Sequence, residues 1–449
     1  RRDPSLPGDR TYLDTDYTVV STANSLNFSE SGWWGRIFSA MKVLIPILIG
    51  LLVVGCGKKQ FTNTNEGNST PIKTAKKKSA TPLTPEEQKA LREKVIVENG
   101  KPRAEIIIAE KPARAAQFGA QELQTYLEKI SGARIKIVTE PTADAQVKIY
   151  VGESEHARDI GITAKGLKRD AFKMVSGANW LALVGNDLEF EPREPWARHH
   201  NQWAQEKQSE WDKITRKPWM NSIGRRLYRN YNKQLDLWNF DHRGSLNAVY
   251  AFLRELGVRW YMPGELGEIL PQKTNVILPK IDRTVTPGWK IRSISRPMIS
   301  ANELEDALWY LRIGANKQYA ILHHGQRCLT EHPDQRKAHP EYYAMMANGK
   351  RDNVSKTANA CLSSEGFFRE MVAFARLMFD HYDIPMISVM PHDGFNHCQC
   401  DLCRDQATLE RGASGSSSDY VWGFVVRVAN ELAKTHPDRK VFCGAYSSY

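Results

Sequence analysis

Three closely spaced cysteines form the sharpest chemical pattern in this chain of 449 residues. Cys398, Cys400 and Cys403 follow the spacing Cys-x-Cys-x-x-Cys, and three thiolates this close can occupy three corners of a tetrahedral zinc site. The fourth ligand stays open among four residues: His397, His392, Cys361 and Cys443. The alternative is one Cys-x-x-Cys disulfide in an oxidising compartment, which would leave a reactive thiol unpaired. We predict a structural zinc and no cofactor for catalysis, because a closed all-thiolate site leaves no position for water.

A second group of polar residues follows strand-like segments in the C-terminal part of the chain. His323 and His324 end one such segment, His392 and Asp393 follow a second, and Tyr446 ends a third. In a parallel (β/α) barrel the working residues lie at the C-terminal ends of the strands. We therefore predict that these residues line one mouth. Neighbours in a strand face opposite sides, so one of the two adjacent histidines is expected to point away.

The elements that would position these residues alternate between strand and helix. The predicted strands cover residues 290–295, 319–322, 387–390 and 441–446. The predicted helices between them cover residues 304–313, 367–382 and 420–434. This alternation indicates parallel β/α units. A complete (β/α)8, TIM-like barrel takes about 250 residues, so residues 288–449 are predicted to form an incomplete barrel whose last units lie beyond Tyr449.

Residues 95–287 are predicted to form a separate, smaller α/β domain. Its strands are expected at 106–108, 135–138, 147–152, 172–175 and 181–185. The last two are expected to form a hairpin. One helix begins near Pro112 and stops at Gly132. A second helix begins with Ser245 as its cap and stops at Gly257. The fold class is therefore α/β, with a small α/β N-terminal domain before the incomplete barrel.

Several stretches of the first domain resemble the N-terminal domain of bacterial α-glucuronidases. They are GAQELQTYLEKISG, IYVGES, LVGND and, from Gly244 to Pro271, GSLNAVYAFLRELGVRWYMPGELGEILP. In that family a small α/β domain precedes a catalytic (β/α)8 barrel. Three later stretches, HPEYYAMMANGKR, ACLSSEGFFREM and SVMPHDGFNHCQCDLC, resemble a family of uncharacterised bacterial secreted proteins with the same two-domain order. The resemblance implies carbohydrate chemistry, although the second family carries no proven reaction.

With this resemblance, Asp393 is the first choice for a catalytic carboxylate. Glycosidases usually use two carboxyl groups, one to protonate the leaving oxygen and one to activate water or attack the sugar. Asp-Gly after a strand is also common turn chemistry, so a turn role is the alternative. The partner carboxylate is left open between positions beyond Tyr449 and a weaker candidate, Glu341. Substrate binding, through hydrogen bonds to sugar hydroxyls or to a uronate carboxylate, is expected from His323, His324, His392 and Tyr446.

An insertion at residues 188–240 departs from the simple α/β pattern. It places five tryptophans among many charged residues: Trp196, Trp203, Trp211, Trp219 and Trp238. Aromatic side chains offer large apolar faces, which suit the faces of sugar rings. The alternative is that the tryptophans anchor a long excursion to the domain surface, and this is the role we expect.

The N-terminal residues are typical of an exported lipoprotein. Residues 1–40 are polar and patternless and look like sequence upstream of the true start. Residues 41–56 read as a lipoprotein signal peptide that ends in a lipobox at Cys56. The apolar run of this segment is shorter than the roughly 20 residues that a membrane span requires. A flexible basic linker at 57–94 follows, and Gly57 favours the outer membrane or cell surface as the destination.

The linker lysines carry much of the formal net charge of +11. They do not interleave with aromatic residues on a folded segment, so we expect no nucleic-acid partner. The expected partners are a membrane, reached through a lipid on Cys56, and a polysaccharide or oligosaccharide substrate. The leading hypothesis is a surface-anchored glycoside hydrolase acting on a uronate-containing or otherwise decorated glycan. A non-catalytic glycan-binding lipoprotein and a structural zinc-bearing surface protein are the alternatives.

Overall fold

The computed structural model describes residues 94–195, 202–221, 230–289, 291–293, 302–317, 324–446 and 448–449. Several predictions lie outside this range, among them the lipidated Cys56 with its signal peptide, His323, and the strand at 319–322. Among the helices of the described residues, none combines the length and the apolar character needed to cross a bilayer.

The first domain contains most of the strands. It begins with β1 (Val95–Glu98), β2 (Lys101–Pro102), β3 (Ala104–Ile107), α1 (Arg114–Ser131), β4 (Lys136–Val138), β5 (Val147–Val151), α2 (Glu155–Asp159), β6 (Phe172–Ser176) and β7 (Trp180–Gly185). It continues with α3 (Gln202–Thr215), β8 (Tyr231–Asn232), β9 (Leu237–Trp238), α4 (Gly244–Glu255), β10 (Arg259–Trp260), β11 (Glu268–Ile269), β12 (Val276–Ile277) and β13 (Asp282–Val285).

Six of these strands form one mixed sheet in the order β13-β6-β7-β5-β3-β4. Strands β4, β3, β5 and β7 are parallel, and the register pairs Ile106 with both Ile137 and Ile149. Strands β6 and β13 add antiparallel partners at one edge, and the predicted β6–β7 hairpin is confirmed. The observed sheet is therefore the α/β layer expected from the sequence.

The two sheet faces are covered differently because successive side chains of a strand point to opposite sides. Ile106 and Ile149 lie in the larger core, under the paired helices α1 and α4. Ile107 and Tyr150 lie in a smaller core on the other face, which the α2 segment covers through Ala157. The predicted apolar face of α1 is buried, and Gly132 ends the helix at a φ of 76°.

The start of α4 differs from its prediction. Ser245 does not cap the helix; it lies inside the first turn, and Arg243 occupies the cap position. Its hydroxyl instead accepts a hydrogen bond of 2.8 Å from the backbone N–H of Gly185, at the end of β7. A Cβ on Gly185 or on Gly244 would overlap the facing backbone, so both glycines are required for this close approach.

The second half of the chain is mainly helical within the described residues. Its elements are α5 (Glu303–Arg312), α6 (Arg327–Thr330), α7 (Pro333–Ala338), α8 (Glu365–Tyr382), β14 (Met386–Ser388), α9 (Ser418–Ala433) and β15 (Lys440–Phe442). Strands β14 and β15 are parallel, with Ile387 opposite Val441. This strand–helix–strand unit agrees with the predicted β/α repeat, while closure into a barrel stays a prediction. Residues 291–293 are not a strand, and β14 and β15 end at Ser388 and Phe442, earlier than predicted.

Buried ion pairs connect the first domain to the segments that follow it. The fully buried Asp170 carboxylate accepts hydrogen bonds of 2.7 Å from Arg292 and from the Asn316 side chain. Arg312, at the end of α5, pairs with Glu122 at 2.9 Å and with Glu268 at 3.0 Å. Helix α5 therefore packs into the core of the first domain, although it belongs to the segment predicted as barrel.

The tryptophans of the 188–240 insertion connect the first domain to helix α8. Trp211 is fully buried and stacks on Tyr382 of α8, with ring centroids 5.8 Å apart. Trp219 meets Phe374 of the same helix edge to face, with centroids 5.4 Å apart. The insertion is thus held against helix α8 rather than against the surface of its own domain.

The anchoring role of the tryptophans holds for the three side chains that the structure describes. Trp238 is also buried, and it belongs with Trp211 and Trp219 to the core around α8. None of these three offers a free ring face to a sugar. Trp196 and the side chain of Trp203 lie outside the described residues.

Replacing Trp211 with alanine should destabilise the protein by about 3–5 kcal/mol, as for other large-to-small changes in a core. The matched control is Trp289→Ala, because Trp289 is 70% exposed and its loss should change stability by no more than about 0.5 kcal/mol. Urea unfolding followed by circular dichroism compares the two variants with the wild type. An unchanged midpoint for Trp211→Ala would contradict the anchoring role.

Candidate functional site

The candidate site lies where β14 and β15 end. Because the strands are parallel, their carboxyl ends lie at the same edge, and the Val389 N–H donates to the Phe442 carbonyl just past this pairing. The chain after β14 carries His392 and Asp393, and the chain after β15 carries Tyr446. The parallel pairing therefore brings together residues that are far apart in the sequence.

The Tyr446 hydroxyl donates a hydrogen bond of 2.9 Å to Oδ1 of Asp393. The His324 ring meets the Tyr446 ring edge to face at 5.8 Å and lies nearly parallel to the His392 ring at 6.0 Å. Four of the five residues predicted at the mouth thus form one cluster, and the fifth, His323, lies outside the described residues.

His324 is held in place by contacts with the end of β14 and with the residues that follow this strand. A Cβ on Gly325 would overlap the Ser388 carbonyl, so only glycine allows the chain to lie this close to the strand. Gln326 donates from its backbone to the Met390 carbonyl and from its side chain to the Val389 carbonyl. His324 Nδ1 lies 2.6 Å from the Pro391 carbonyl oxygen and donates to it, so a neutral ring keeps its lone pair on Nε2.

A carboxylate that the sequence did not reveal, Glu331, orients His392. Its Oε1 lies 3.2 Å from His392 Nε2 and 2.8 Å from the Arg327 guanidinium. Burial alone would raise the pKa of Glu331, but the hydrogen bond from His392 and the charge of Arg327 outweigh it and hold the pKa below the usual value. His392 Nδ1 is buried and has no hydrogen-bond partner among the described residues.

Asp393 is exposed, and its surroundings favour the charged form. The hydrogen bond from Tyr446 is the main reason that the pKa of Asp393 lies below its usual value, and the nearby His324 acts in the same direction. The same hydrogen bond is the main reason that the pKa of Tyr446 is raised, and the negative charge of Asp393 acts in the same direction. Asp393 Oδ1 also accepts the Gly394 N–H at 3.1 Å, with Gly394 at a φ of 68°, so the residue shapes its turn as well.

The arrangement can bind and polarise a hydroxyl-rich ligand. An ionised carboxylate accepts hydrogen bonds or a proton, and His324 presents its Nε2 to a ligand. His392 does not, because its Nε2 is bonded to Glu331 and its Nδ1 is buried. Glu341, the weaker candidate for a second carboxylate, lies in the single turn Pro340–Tyr342 and contacts His339 at 3.0 Å.

The cysteine cluster lies on the chain shortly after Asp393. Cys361 joins Cys398, Cys400 and Cys403, and the four buried sulfur atoms lie within 4.8 Å of one another. Of the four candidates for the fourth ligand, Cys361 is therefore the residue that the structure places beside the other three cysteines. All four are free thiols in the structure.

The other three candidates for a fourth ligand have different contacts. His397 bonds to the Ser417 hydroxyl and to the Cys403 carbonyl, and His392 bonds to Glu331. Cys443 is a buried thiol next to the Gly444 carbonyl, and burial raises its pKa to about 12.

Removing the Tyr446 hydroxyl should raise the pKa of Asp393, because the charged carboxylate loses its main hydrogen-bond donor. Carbon-13 NMR of aspartate-labelled protein can follow this titration in a Tyr446→Phe variant, with Asp393→Asn identifying the resonance. Tyr449→Phe is the matched control, since the buried Tyr449 hydroxyl has no hydrogen-bond partner in the described part of the chain. An equal pKa in wild type and Tyr446→Phe would contradict the coupling.

Comparison with known proteins gives one family match. Residues 262–449 match the family described as a domain of unknown function, DUF4838. This match supports the expected relation of the later part of the chain to an uncharacterised family. None of the curated proteins matches the chain significantly.

Among solved structures, the chain is similar to a family GH115 4-O-methyl-α-glucuronidase with specificity for decorated arabinogalactans. The identity is 15%, the TM-score is 0.33, and the match covers 78% of this chain and 42% of that chain. A GH20 β-N-acetylhexosaminidase from Streptomyces coelicolor A3(2) matches at 10% identity and a TM-score of 0.33, covering 77% of this chain and 62% of that one.

A mutant β-hexosaminidase from Streptomyces plicatus, in complex with GlcNAc, matches at 11% identity and a TM-score of 0.29. The match covers 75% of this chain and 60% of that chain. In all three comparisons the matched part is less than two thirds of the length of the known protein. TM-scores of this size do not establish a shared fold.

Proposed function

We propose that this protein is a surface-anchored glycoside hydrolase that acts on a uronate-containing or otherwise decorated polysaccharide. The observation that carries the proposal is the hydrogen bond of 2.9 Å from Tyr446 to the exposed Asp393, beside two oriented histidines. The proposal places this cluster in the mouth of a (β/α) barrel, of which β14, α9 and β15 would form one repeat.

Asp393 would act in its ionised form. A carboxylate that receives a hydrogen bond from a tyrosine, and that has a lowered pKa, is charged at neutral pH. In glycoside hydrolysis the charged carboxylate either activates a water molecule or attacks the anomeric carbon. Asp393 is thus suited to the role of base or nucleophile rather than to that of the acid that protonates the leaving oxygen.

His324 would bind the sugar. His324 donates through Nδ1 to the Pro391 carbonyl, which leaves Nε2 for a hydroxyl donor on the substrate. When its ring is protonated, the same nitrogen becomes a donor and can pair with a uronate carboxylate. Glu331 would act as a positioning residue, because it fixes the ring of His392 without being part of the exposed cluster.

Glycan binding without turnover is the second candidate, and the aromatic residues around Asp393 favour it. The half-buried rings of Phe395 and Tyr446 both pack against the buried Tyr449, at 5.3 Å and 6.4 Å between centroids. Partly exposed aromatic rings beside a carboxylate also suit a sugar-binding platform. The two candidates differ in one measurable property, the release of reducing ends from a bound glycan.

An Asp393→Asn variant should lose activity on the order of 10²-fold or more, since the amide keeps the shape but cannot accept a proton or attack. The assay is reducing-sugar release from a panel of glucuronate-bearing polysaccharides, with binding to the same panel measured by affinity electrophoresis. Asp438→Asn is the control, because the Asp438 side chain is 78% exposed and its contact in the structure is with Arg439.

The outcomes separate the two candidates. If Asp393→Asn still binds the glycan but no longer releases reducing ends, the result supports the hydrolase. If the wild-type protein binds a glycan but releases no reducing ends, the binding-protein candidate replaces it. Full activity of Asp393→Asn would leave Asp393 with a turn role only.

The proposed surface location depends on lipidation of Cys56. A Cys56→Ala variant expressed in a bacterial host should move from the membrane fraction to the soluble fraction, because the acyl chains of the anchor supply the membrane affinity. Cell fractionation with mass analysis of the N-terminal peptide measures this. Unchanged membrane association, together with an N-terminal peptide free of lipid, would contradict the anchor.

A further inference from the structure

We propose that Cys361, Cys398, Cys400 and Cys403 bind one zinc ion in a closed tetrahedral site that joins the loop after Asp393 to the start of α8. This inference concerns the stability of the domain and does not depend on the proposed hydrolase activity. It rests on the arrangement of the four sulfur atoms and on the groups that surround them.

The sulfur separations fit a tetrahedral metal site. Cys400 and Cys403 are 3.4 Å apart, and Cys361 lies 3.6 Å from Cys403 and 3.8 Å from Cys400. Zinc–sulfur bonds of about 2.3 Å place the sulfurs of a tetrahedron about 3.8 Å apart. A disulfide would bring two sulfurs to about 2.05 Å, far closer than any of these pairs.

Two separate segments deliver the ligands. Cys361 follows the bridge between Tyr343 and Ala360, and its N–H donates to the Tyr342 carbonyl at 2.8 Å, just before α8 begins. The other three belong to a tight loop in which the Cys403 N–H donates to the Cys400 carbonyl at 2.9 Å. A metal bound by all four would cross-link these segments.

The neighbours of the sulfurs are hydrogen-bond donors, as thiolates require. The Met345 N–H donates to Cys398 Sγ at 3.2 Å, and the Tyr420 hydroxyl donates to Cys403 Sγ at 3.1 Å. The Arg351 guanidinium lies beside the cluster and also donates to the Tyr343 carbonyl at 2.6 Å. Four thiolates and one Zn²⁺ carry a net charge of −2, which a neighbouring cation and these donors stabilise.

Such a site is structural rather than catalytic. Four thiolates fill the coordination sphere of zinc, so water and substrate have no open position on the metal. All four cysteines are buried. Zinc in this position would fix the chain from Cys398 onward, and Asp393 lies only a few residues earlier on the same loop.

The test begins with the metal content of the full chain purified without chelator. Elemental analysis should find about one zinc per chain. Cobalt-substituted protein should show the absorption of a tetrahedral cobalt–thiolate centre. No bound metal after reconstitution with Zn²⁺ would overturn the proposal, as would iron in place of zinc or a disulfide between any two of the four cysteines in a native peptide map.

Variants identify the fourth ligand. Cys361→Ser should reduce zinc content at least tenfold, and the same is expected for Cys403→Ser. Cys443→Ser is the matched control and should retain the metal, because Cys443 is also buried but bonds to the Gly444 carbonyl instead. If Cys361→Ser fails to fold, the folded Cys443→Ser variant still decides, because it should hold one zinc and release it when a mercurial reagent reacts with the thiols of Cys361, Cys398, Cys400 and Cys403. Zinc retained after those thiols are blocked would contradict the assignment.

Discussion

The parallel pairing of β14 with β15 is the constraint on which the candidate site depends. A parallel pair cannot be joined by a tight turn and needs a crossover of a dozen or more residues. Here the crossover runs from residue 389 to 439, and it carries the cysteine loop and helix α9. Because both strands end at the same edge, Asp393 and Tyr446 meet there. A shift of one residue in this register would turn the side chains of one strand to the opposite face.

The buried Asp170 carboxylate connects the first domain to the segments that follow it. Besides Arg292 and Asn316, its carboxylate accepts the backbone N–H of Arg243 at 2.9 Å. Burial alone would raise the pKa of Asp170. The charge of Arg243 and the hydrogen bond from its N–H outweigh this effect, so the pKa is lower than usual and the carboxylate stays ionised. Removing this carboxylate would take from the buried Arg243 the negative charge that acts on it most strongly. The start of α4 is thereby tied to the segments that lead into the second half of the chain.

Local patterns in the sequence predicted the elements well, because apolar periodicity and glycine stops act within a few residues. The face of α1, the Gly132 stop and the hairpin of β6 with β7 all follow from such patterns. Ser245 shows the limit of this reasoning. Its side chain is of a type that caps helices, but its hydroxyl instead accepts a hydrogen bond from the N–H of Gly185, 60 positions away.

The site could be predicted only where its residues follow strands. His392, Asp393 and Tyr446 follow β14 and β15, so the rule for the carboxyl ends of parallel strands predicted that they lie together. Glu331 lies at the end of the short helix α6, and nothing in its neighbourhood in the sequence connects it with His392. Cys361 could be listed among several fourth ligands but not selected, because its place depends on how the bridge at Ala360 meets the cysteine loop.

The two carboxylates of the site cannot divide the work of an acid and a base between themselves. Enzymes that need both roles place two titratable groups in environments that push their pKa values apart. Here the pKa values of Asp393 and Glu331 are both lowered, the first mainly by the Tyr446 hydroxyl and the second by His392 and Arg327 against the effect of burial. Both are therefore charged at neutral pH, and neither holds a proton for a leaving oxygen. The proposed hydrolase thus requires an acid other than Glu331, whose role is to orient His392. Asp393 would be the exposed base or nucleophile.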